Sequence, residues 1–124
     1  MKQSEKYDVA LLKVKSKHTL KSYDFKFGKA DELKKGDFLY FIGDPLGLGI
    51  SLSQAIYANK RVPYDSTIFN LNIPVAHGYS GGPVIAFRDG NPEIVGIIKL
   101  TSESNAGITK IEYALEEFKE YLQK

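Results

Sequence analysis

The segment from His77 to Pro83 contains the residues whose types and spacing best fit a chemical role. It reads His77-Gly78-Tyr79-Ser80-Gly81-Gly82-Pro83, so three glycines surround one serine. A serine hydroxyl becomes a nucleophile only when a base takes its proton, and the oxyanion that its attack creates needs hydrogen-bond donors. Glycines let backbone N–H groups turn toward one point because they carry no Cβ. We therefore interpret Ser80 as a candidate nucleophile, with the N–H groups of Gly78 and Ser80 as candidate oxyanion donors. The alternative is a glycine-rich hairpin corner with an incidental serine.

The same residues also fit Gly-x-Ser-x-Gly, the nucleophile elbow of α/β-hydrolases. That motif requires a strand before the serine and a helix after it. Gly81-Gly82-Pro83 is a poor helix start, and the apolar run at 84–87 predicts a strand. A chain of 124 residues is also too short for that fold, so we exclude it.

The amino-acid composition argues against nucleic-acid binding, metal binding and a membrane span. Hydrophobic residues make up 43% and charged residues 26% of the chain, which is typical of a single globular domain. The net charge of +2 comes from lysines interleaved with acids, so no nucleic-acid partner is predicted. There is no cysteine, and the two histidines, His18 and His77, match no ligand spacing, so we predict no metal and no cofactor. No apolar run is long enough to span a membrane, and the residues at the N-terminus do not resemble a signal peptide; they leave the compartment unassigned.

Alternating and apolar runs separated by polar or Gly/Pro turns predict mainly β structure. The sequence Arg88-Asp89-Gly90-Asn91 is a hairpin turn signal. An amphipathic C-terminal helix is predicted from Ile111, because apolar residues recur at three- and four-residue steps and define its buried face: Ile111, Ala114, Leu115, Phe118 and Leu122. The predicted strands are 7–15, 23–27, 37–43, 50–58, 67–72, 83–87, 93–100 and 106–110. Several short strands with regular turns indicate a small closed barrel or a sandwich.

Four ordered segments resemble the HtrA/DegP-type proteases of the trypsin-like superfamily. Asp8-Val9-Ala10-Leu11-Leu12-Lys13-Val14 is similar to the family's "DLAVLKV" strand, and Gly78 to Pro83 is similar to "G-N-S-G-G-P". The stretch 33–49 resembles "L-x-x-G-D … I-G-N-P-F-G-L-G", and 94–97 resembles "V-x-G-I". The resemblance implies an all-β fold: a six-stranded antiparallel Greek-key barrel, the second barrel of the trypsin-like fold, with a C-terminal α-helix and one N-terminal strand left over from the first barrel. On this basis residues 1–22 are the remnant strand and linker, and residues 23–124 are the barrel with its helix.

The resemblance also implies site roles. It makes Ser80 the nucleophile, Asp8 the carboxylate that orients the catalytic histidine, and Gly78 with Ser80 the oxyanion donors. It places Tyr79 where the family usually has Asn or Asp, which is a departure. The substrate-binding residues that it implies are Pro74, Val75, Ile98, Lys99 and Leu100, with the last three offering a strand edge to an extended peptide. No acidic residue occupies the floor position at Pro74, so an apolar rather than an Arg/Lys preference is expected.

In the family the catalytic histidine lies in the first barrel, well before the aspartate, whereas only seven residues precede Asp8 here. His18 follows the predicted strand, and His77 lies on the oxyanion loop, so we expect neither to act as the base and the chain alone to be inactive. The expected partners are a peptide or unfolded protein substrate, and either a homo-oligomer or a missing N-terminal barrel, because the strand at 7–15 would otherwise expose its edges. Three functions stay open: part of a serine endopeptidase, a non-catalytic barrel that binds extended peptides or self-associates, or an assembly piece, which rests only on the unpartnered strand.

Overall fold

The computed structural model describes residues 2–4, 9–15, 17–19, 25–44, 47–57, 60–61, 68–71, 79–100 and 106–122. Within these residues the chain forms ten strands, one 3₁₀ turn at Ala30–Glu32, and two short helices, α1 (Ile111–Glu117) and α2 (Lys119–Leu122). The strands are β1 (Lys2–Ser4), β2 (Val9–Leu11), β3 (Lys26–Phe27), β4 (Phe38–Gly43), β5 (Ser51–Ile56), β6 (Lys60–Arg61), β7 (Ile68–Leu71), β8 (Pro83–Arg88), β9 (Asn91–Leu100) and β10 (Ala106–Lys110).

Eight of these strands form one sheet, and its connectivity explains why it curls. The strand order is β5-β4-β8-β9-β10-β7-β6, every neighbouring pair on this path is antiparallel, and β3 joins β9 in parallel. If the sheet were flat, its outer strands β5 and β6 would lie about 29 Å apart, at about 4.8 Å per strand. Yet only three residues separate Ile56 from Lys60, and a chain of that length spans at most about 14 Å. The two edges of the sheet therefore approach each other.

The inner face of this sheet carries the main hydrophobic core. Along β4 the side chains alternate, with Leu39 and Phe41 buried and Phe38 exposed on the opposite face. This period of two is what a strand with one covered face requires. The fully buried side chains at the centre of the core are Leu39, Val84, Val95 and Ile108. The expected all-β class, with an antiparallel sheet and a C-terminal helix, is confirmed.

The β8–β9 hairpin closes as the sequence predicts. Arg88 pairs with Asn91, which leaves a two-residue turn. Both turn residues have positive φ, 53° at Asp89 and 80° at Gly90. Positive φ at both central positions defines the type I′ turn that Asp-Gly favours. The hairpin carries Pro83 at one end and this turn at the other, so β8 leads directly away from the Ser80 segment.

The C-terminal helices pack over the N-terminal strand and part of β9. Ile111, Ala114 and Phe118 form a second buried cluster with Val9, and the partly buried Leu11, Ile94, Ile97 and Leu115 pack against it. The predicted single helix is divided at Phe118, whose φ and ψ of −109° and 14° are not helical. Leu122, predicted on the buried face, is about half exposed. Among the described residues, no helix is long and apolar enough to cross a membrane.

The start of α1 is tied to the 3₁₀ turn by polar contacts. The Glu112 carboxylate accepts hydrogen bonds from the backbone N–H groups of Ala30, at 3.0 Å, and Asp31, at 3.2 Å. Lys110 Nζ lies 2.6 Å from an oxygen of the Asp31 carboxylate. The first N–H groups of a helix have no partner within the helix. Here the carboxylate accepts the hydrogen bonds of those groups at the start of the 3₁₀ turn. Glu112 thereby connects two parts of the chain that are 82 positions apart.

The N-terminal strand differs from the sequence-based expectation. We expected the strand at 7–15 to lack a partner in this chain, but its described part, β2, pairs antiparallel with β1, with Lys2 opposite Leu11 and Ser4 opposite Val9. The expectation is wrong because residues 2–4 are polar and carry no alternation that would predict a strand. Beyond β2, Leu12 and Val14 remain largely exposed. Self-association through this region stays a prediction, as does the division at residues 22 and 23.

Candidate active site around Ser80

Ser80 lies on an exposed tight turn that ends where β8 begins. The turn runs from Tyr79 to Gly82, and the Gly82 N–H donates to the Tyr79 carbonyl at 2.9 Å. Gly81 has a φ of 85°, whereas Ser80 is not among the residues with positive φ. A positive φ confined to the third position is the signature of a type II turn, which glycine adopts without strain. Ser80 occupies the second position of this turn and is exposed to solvent.

Two hydrogen bonds attach this turn to β9. The Gly81 N–H donates to the Ile98 carbonyl at 2.8 Å, and the Ile98 N–H donates to the Gly82 carbonyl at 3.0 Å. Both backbone groups of Ile98 are therefore directed toward the turn. The Ile98 side chain lies in the core, only 2% exposed. Its contribution to the site thus comes from its backbone, which holds the turn beside β9.

Tyr79 anchors the turn from the main hydrophobic core. Its side chain is 5% exposed and belongs to the main core. Its ring packs edge-to-face on Phe41, with centroids 5.3 Å apart. Its hydroxyl lies 2.8 Å from Ser53 Oγ, within hydrogen-bond distance. Tyr79, which precedes the candidate nucleophile, is therefore fixed by contacts of both its ring and its hydroxyl.

Gly43 provides the space for Tyr79. A Cβ placed at Gly43 would lie 2.9 Å from the Tyr79 Cα and closer still to its ring. Carbon atoms in ordinary contact are about 3.5–4.0 Å apart. Only glycine at the end of β4 therefore lets the turn approach this closely.

The structure describes some of the predicted site residues and not others. Ser80, Ile98 and Lys99 are described, as is the backbone of Leu100. Ser80 is next to Ile98 through the turn, and Lys99 and Leu100 follow on the same strand. Asp8, Pro74, Val75, His77 and Gly78 lie outside the described residues, so their predicted roles stay predictions. His18 is described and exposed, seven positions beyond the end of β2.

A charged cavity lies at the other end of β8 and does not include Ser80. It has a volume of about 410 Å³, and its lining includes Leu33, Phe87 and Arg88. Arg88 forms ion pairs with Glu32 and, at 3.4 Å, with Glu93. The hydrogen bond to Glu32 raises the pKa of Arg88, and the charges of both carboxylates raise it further. Six residues of strand place this cluster about 17–20 Å from the Ser80 turn. In the part of the chain that the structure describes, no group of acidic, histidine or cysteine side chains could hold a metal ion.

Sequence reasoning missed the residues that support the turn. Tyr79 was identified only as a departure from the family, and Ser53 and Gly43 received no role. The signal for Gly43 was present, because it ends an apolar strand where a side chain would normally continue the pattern. The Tyr79–Ser53 contact joins residues 26 positions apart and follows only from the strand pairing.

Sequence comparisons identify a family model and relatives that are all described as peptidases or proteases. The model of the trypsin-like peptidase domain family matches residues 1–97. A probable periplasmic serine endoprotease, DegP-like, from Ectopseudomonas mendocina is 32% identical over 112 residues, covering 87% of this chain and 22% of that protein. A probable periplasmic serine protease, do/HhoA-like, from Haemophilus influenzae is 32% identical over 115 residues, covering 86% of this chain and 24% of that protein. The chain thus spans about a fifth to a quarter of the length of these relatives.

Solved structures show the same fold. The HtrA-type protease AlgWS227A with a decapeptide superposes with a TM-score of 0.62 at 21% identity, covering 80% of this chain and 32% of that one. AlgW with a decapeptide gives a TM-score of 0.61 at 20% identity, over 80% and 33% of the two chains. The family match covers most of the chain, and the relatives and folds agree with it. This chain therefore belongs to the trypsin-like peptidase domain family and is of the HtrA type.

Proposed function

We propose that this chain carries the nucleophile and the substrate-binding strand of an HtrA-type serine endopeptidase site, and that its catalytic histidine comes from outside these 124 residues. The observation that carries the proposal is the exposed Ser80 on a turn whose backbone is bonded to β9. Hydrolysis would begin with attack of Ser80 Oγ on a peptide carbonyl carbon while an imidazole takes the hydroxyl proton. The N–H groups of Ser80 and Gly78 would stabilise the oxyanion. The imidazole would then protonate the leaving amine, and water would release the acyl group from Ser80.

The end of β9 supports a peptide-binding role for the same site. β8 begins at Pro83, opposite Ile97, and the turn takes both backbone groups of Ile98. Lys99 and Leu100 pair with β10 on the other side. Because backbone groups alternate in direction along an antiparallel strand, those of Leu100 face the same side as those of Ile98. No strand pairs with β9 on that side at Leu100 within the described residues. An extended peptide could add there beside Ser80.

Asp8 would orient the imidazole in this scheme. Its neighbour Val9 is buried against Ile111, Ala114 and Phe118, so the C-terminal helix holds the strand that follows Asp8. The histidine is the part that this chain does not supply: it contains only His18 and His77. Loss of one member of a catalytic triad removes most of the rate and leaves only the contributions of binding and the oxyanion donors. We therefore propose that the 124-residue chain by itself has no useful protease activity.

A fluorophosphonate probe tests this proposal, because it labels a serine only where a base activates the hydroxyl. The purified chain should remain unlabelled over hours, as should the Ser80→Ala control. Stoichiometric labelling that the Ser80→Ala substitution abolishes would show that a base within this chain activates Ser80, which would overturn the proposed division of the site.

A second candidate function is a non-catalytic barrel that binds extended peptides. The observation in its favour is Tyr79, which stands where the family has Asn or Asp and whose side chain is buried in the main core beside Ser80. The two functions differ in what precedes residue 1 in the encoded protein, because the protease requires a histidine there and the binding module does not. They also differ in the effect of adding a histidine-bearing N-terminal barrel, which would produce hydrolysis only if the Ser80 turn is competent.

A further inference from the structure

We propose that Tyr79 is a positioning residue of the Ser80 site, and that the hydroxyl of Ser53 is its partner. This inference rests on the proposed function of Ser80, although its test does not require hydrolysis. Tyr79 connects the exposed turn to the main hydrophobic core. Its carbonyl accepts the Gly82 N–H that closes the turn, and its side chain reaches Ser53 on β5.

The pairing of β4 with β5 creates the place that Tyr79 occupies. Phe41 and Ser53 lie opposite each other, and Gly43 lies opposite Ser51 two positions further along the same face. The Tyr79 ring lies over Gly43 and against Phe41, and its hydroxyl reaches Ser53. A one-residue change of register would turn these side chains to the other face. The contact between positions 53 and 79 is therefore a specific consequence of this register.

The position of the Ser80 backbone follows from this contact. Tyr79 and Ser80 share a peptide bond, so any tilt of the tyrosine moves the Ser80 N–H, which is a proposed oxyanion donor. Displacement of a donor by a fraction of an ångström weakens stabilisation of the oxyanion, since those donors act at about 2.7–3.1 Å. Rotation about the Tyr79 ring axis is opposed by the Phe41 contact, and sliding of the ring along β4 is opposed by the bond to Ser53. The hydrogen bond between the Tyr79 and Ser53 hydroxyls thus opposes the sliding of the ring that apolar packing alone would allow.

The resemblance makes this pair distinctive. The family usually has Asn or Asp at the position of Tyr79, and such side chains are too short to span from the turn across Phe41 to β5. In this chain a tyrosine and a serine 26 positions away take over the attachment of the turn. We therefore infer that positions 53 and 79 act as a unit, so that losing either hydroxyl has the same effect as losing both.

Amide hydrogen exchange followed by NMR tests the inference in the 124-residue chain. The variants are Tyr79→Phe, Ser53→Ala, the double variant, and Ser53→Thr, which keeps a hydroxyl at position 53. The matched control is Tyr40→Phe. The Tyr40 hydroxyl accepts a hydrogen bond from Gln54 Nε2 at 2.9 Å, and its side chain lies on the opposite face of β4 from Phe41. The reporters are the N–H groups of Gly81 and Gly82, compared with that of the buried Ile108 in β10.

We expect exchange at Gly81 and Gly82 to accelerate about fivefold relative to Ile108 in Tyr79→Phe, in Ser53→Ala and in the double variant, as for the loss of one hydrogen bond. The Ser80 amide resonance should move in the same direction in all three. Ser53→Thr and Tyr40→Phe should keep the original ratio and resonance. Equal acceleration at Gly81 and Ile108 in Tyr79→Phe would mean that the hydroxyl only stabilises the whole fold, and it would overturn the inference. Additive effects of the two substitutions in the double variant would also overturn it. If the exchange pattern is as expected but Ser80 proves not to be a nucleophile, only the proposed function fails.

Discussion

Replacement of Gly81 by alanine isolates the backbone geometry on which the Ser80 turn depends. Gly81 has a φ of 85°, and a Cβ placed there would meet nothing within 4 Å. The substitution therefore creates no clash, and its effect comes from the dihedral angle alone. Because no clash contributes, the sign of the stability change reports whether the backbone at position 81 has positive φ.

The magnitude follows from two opposing contributions. An alanine at positive φ costs about 1–2 kcal/mol in the folded state. The same substitution restricts the unfolded chain, which offsets about 0.4–1 kcal/mol of that cost. We expect the free energy of unfolding to fall by about 1 kcal/mol, a change of about fivefold in the folded-to-unfolded ratio.

Urea unfolding of Gly81→Ala measures this change, and Gly36→Ala is its matched control. Gly36 has a φ of 93°, and its Cβ would also meet nothing within 4 Å, but it lies in a different turn. Both variants should lose similar stability at unchanged m-value. Only Gly81→Ala should shift the Ser80 amide resonance, because only that turn contains Ser80.

An increase in stability of Gly81→Ala would refute the reasoning. At an ordinary negative φ, replacing glycine by alanine stabilises a protein by about 0.4–1 kcal/mol. A stabilised variant would therefore mean that Gly81 does not adopt positive φ, and the turn that presents Ser80 would have a different form.

Three other substitutions test the surroundings of the site. Gly43→Ala should destabilise the chain by about 1–3 kcal/mol in urea unfolding, because its Cβ would overlap Tyr79; wild-type stability would mean that the ring does not lie there. Glu112→Gln should cost about 1–2 kcal/mol in thermal unfolding, because an amide has one acceptor oxygen for the two N–H groups that the carboxylate serves. Leu39→Ala should cost about 2–5 kcal/mol, since Leu39 is fully buried, and a loss below 1 kcal/mol would contradict its central place in the core.

The elements with strong local signals could be predicted from the sequence. β10 at Ala106–Lys110 has the predicted bounds, and β4 differs from its prediction by one residue. The Asp89-Gly90 turn was predictable because its chemistry demands positive φ at adjacent positions. In each case the information lies within a few neighbouring residues. The resemblance to HtrA-type trypsin-like proteases rests on four such segments. The family match confirms the trypsin-like domain, and the DegP-like relatives agree with the HtrA type.

The features that escaped prediction depend on distant pairings. β1 is too short and polar to show alternation, and it becomes a strand only by pairing with β2. The attachment of Tyr79 requires the β4–β5 register that places Ser53 opposite Phe41. The hydrogen bond from the Ala30 N–H to the Glu112 carboxylate joins residues 82 positions apart. None of these contacts can be predicted from the neighbouring residues alone, because each joins segments that are distant in the sequence.

Alkylation of a Ser80→Cys variant as a function of pH tests the central claim most directly. The chain contains no other cysteine, so the reaction with iodoacetamide reports on this one position. We predict rapid alkylation, because the position is exposed, with a rate that rises through a pH of about 8–9, as for a cysteine without an adjacent base. A rate already at its plateau near pH 5 would reveal a histidine paired with the thiolate inside this chain, and resistance to alkylation at every pH would show that position 80 is buried.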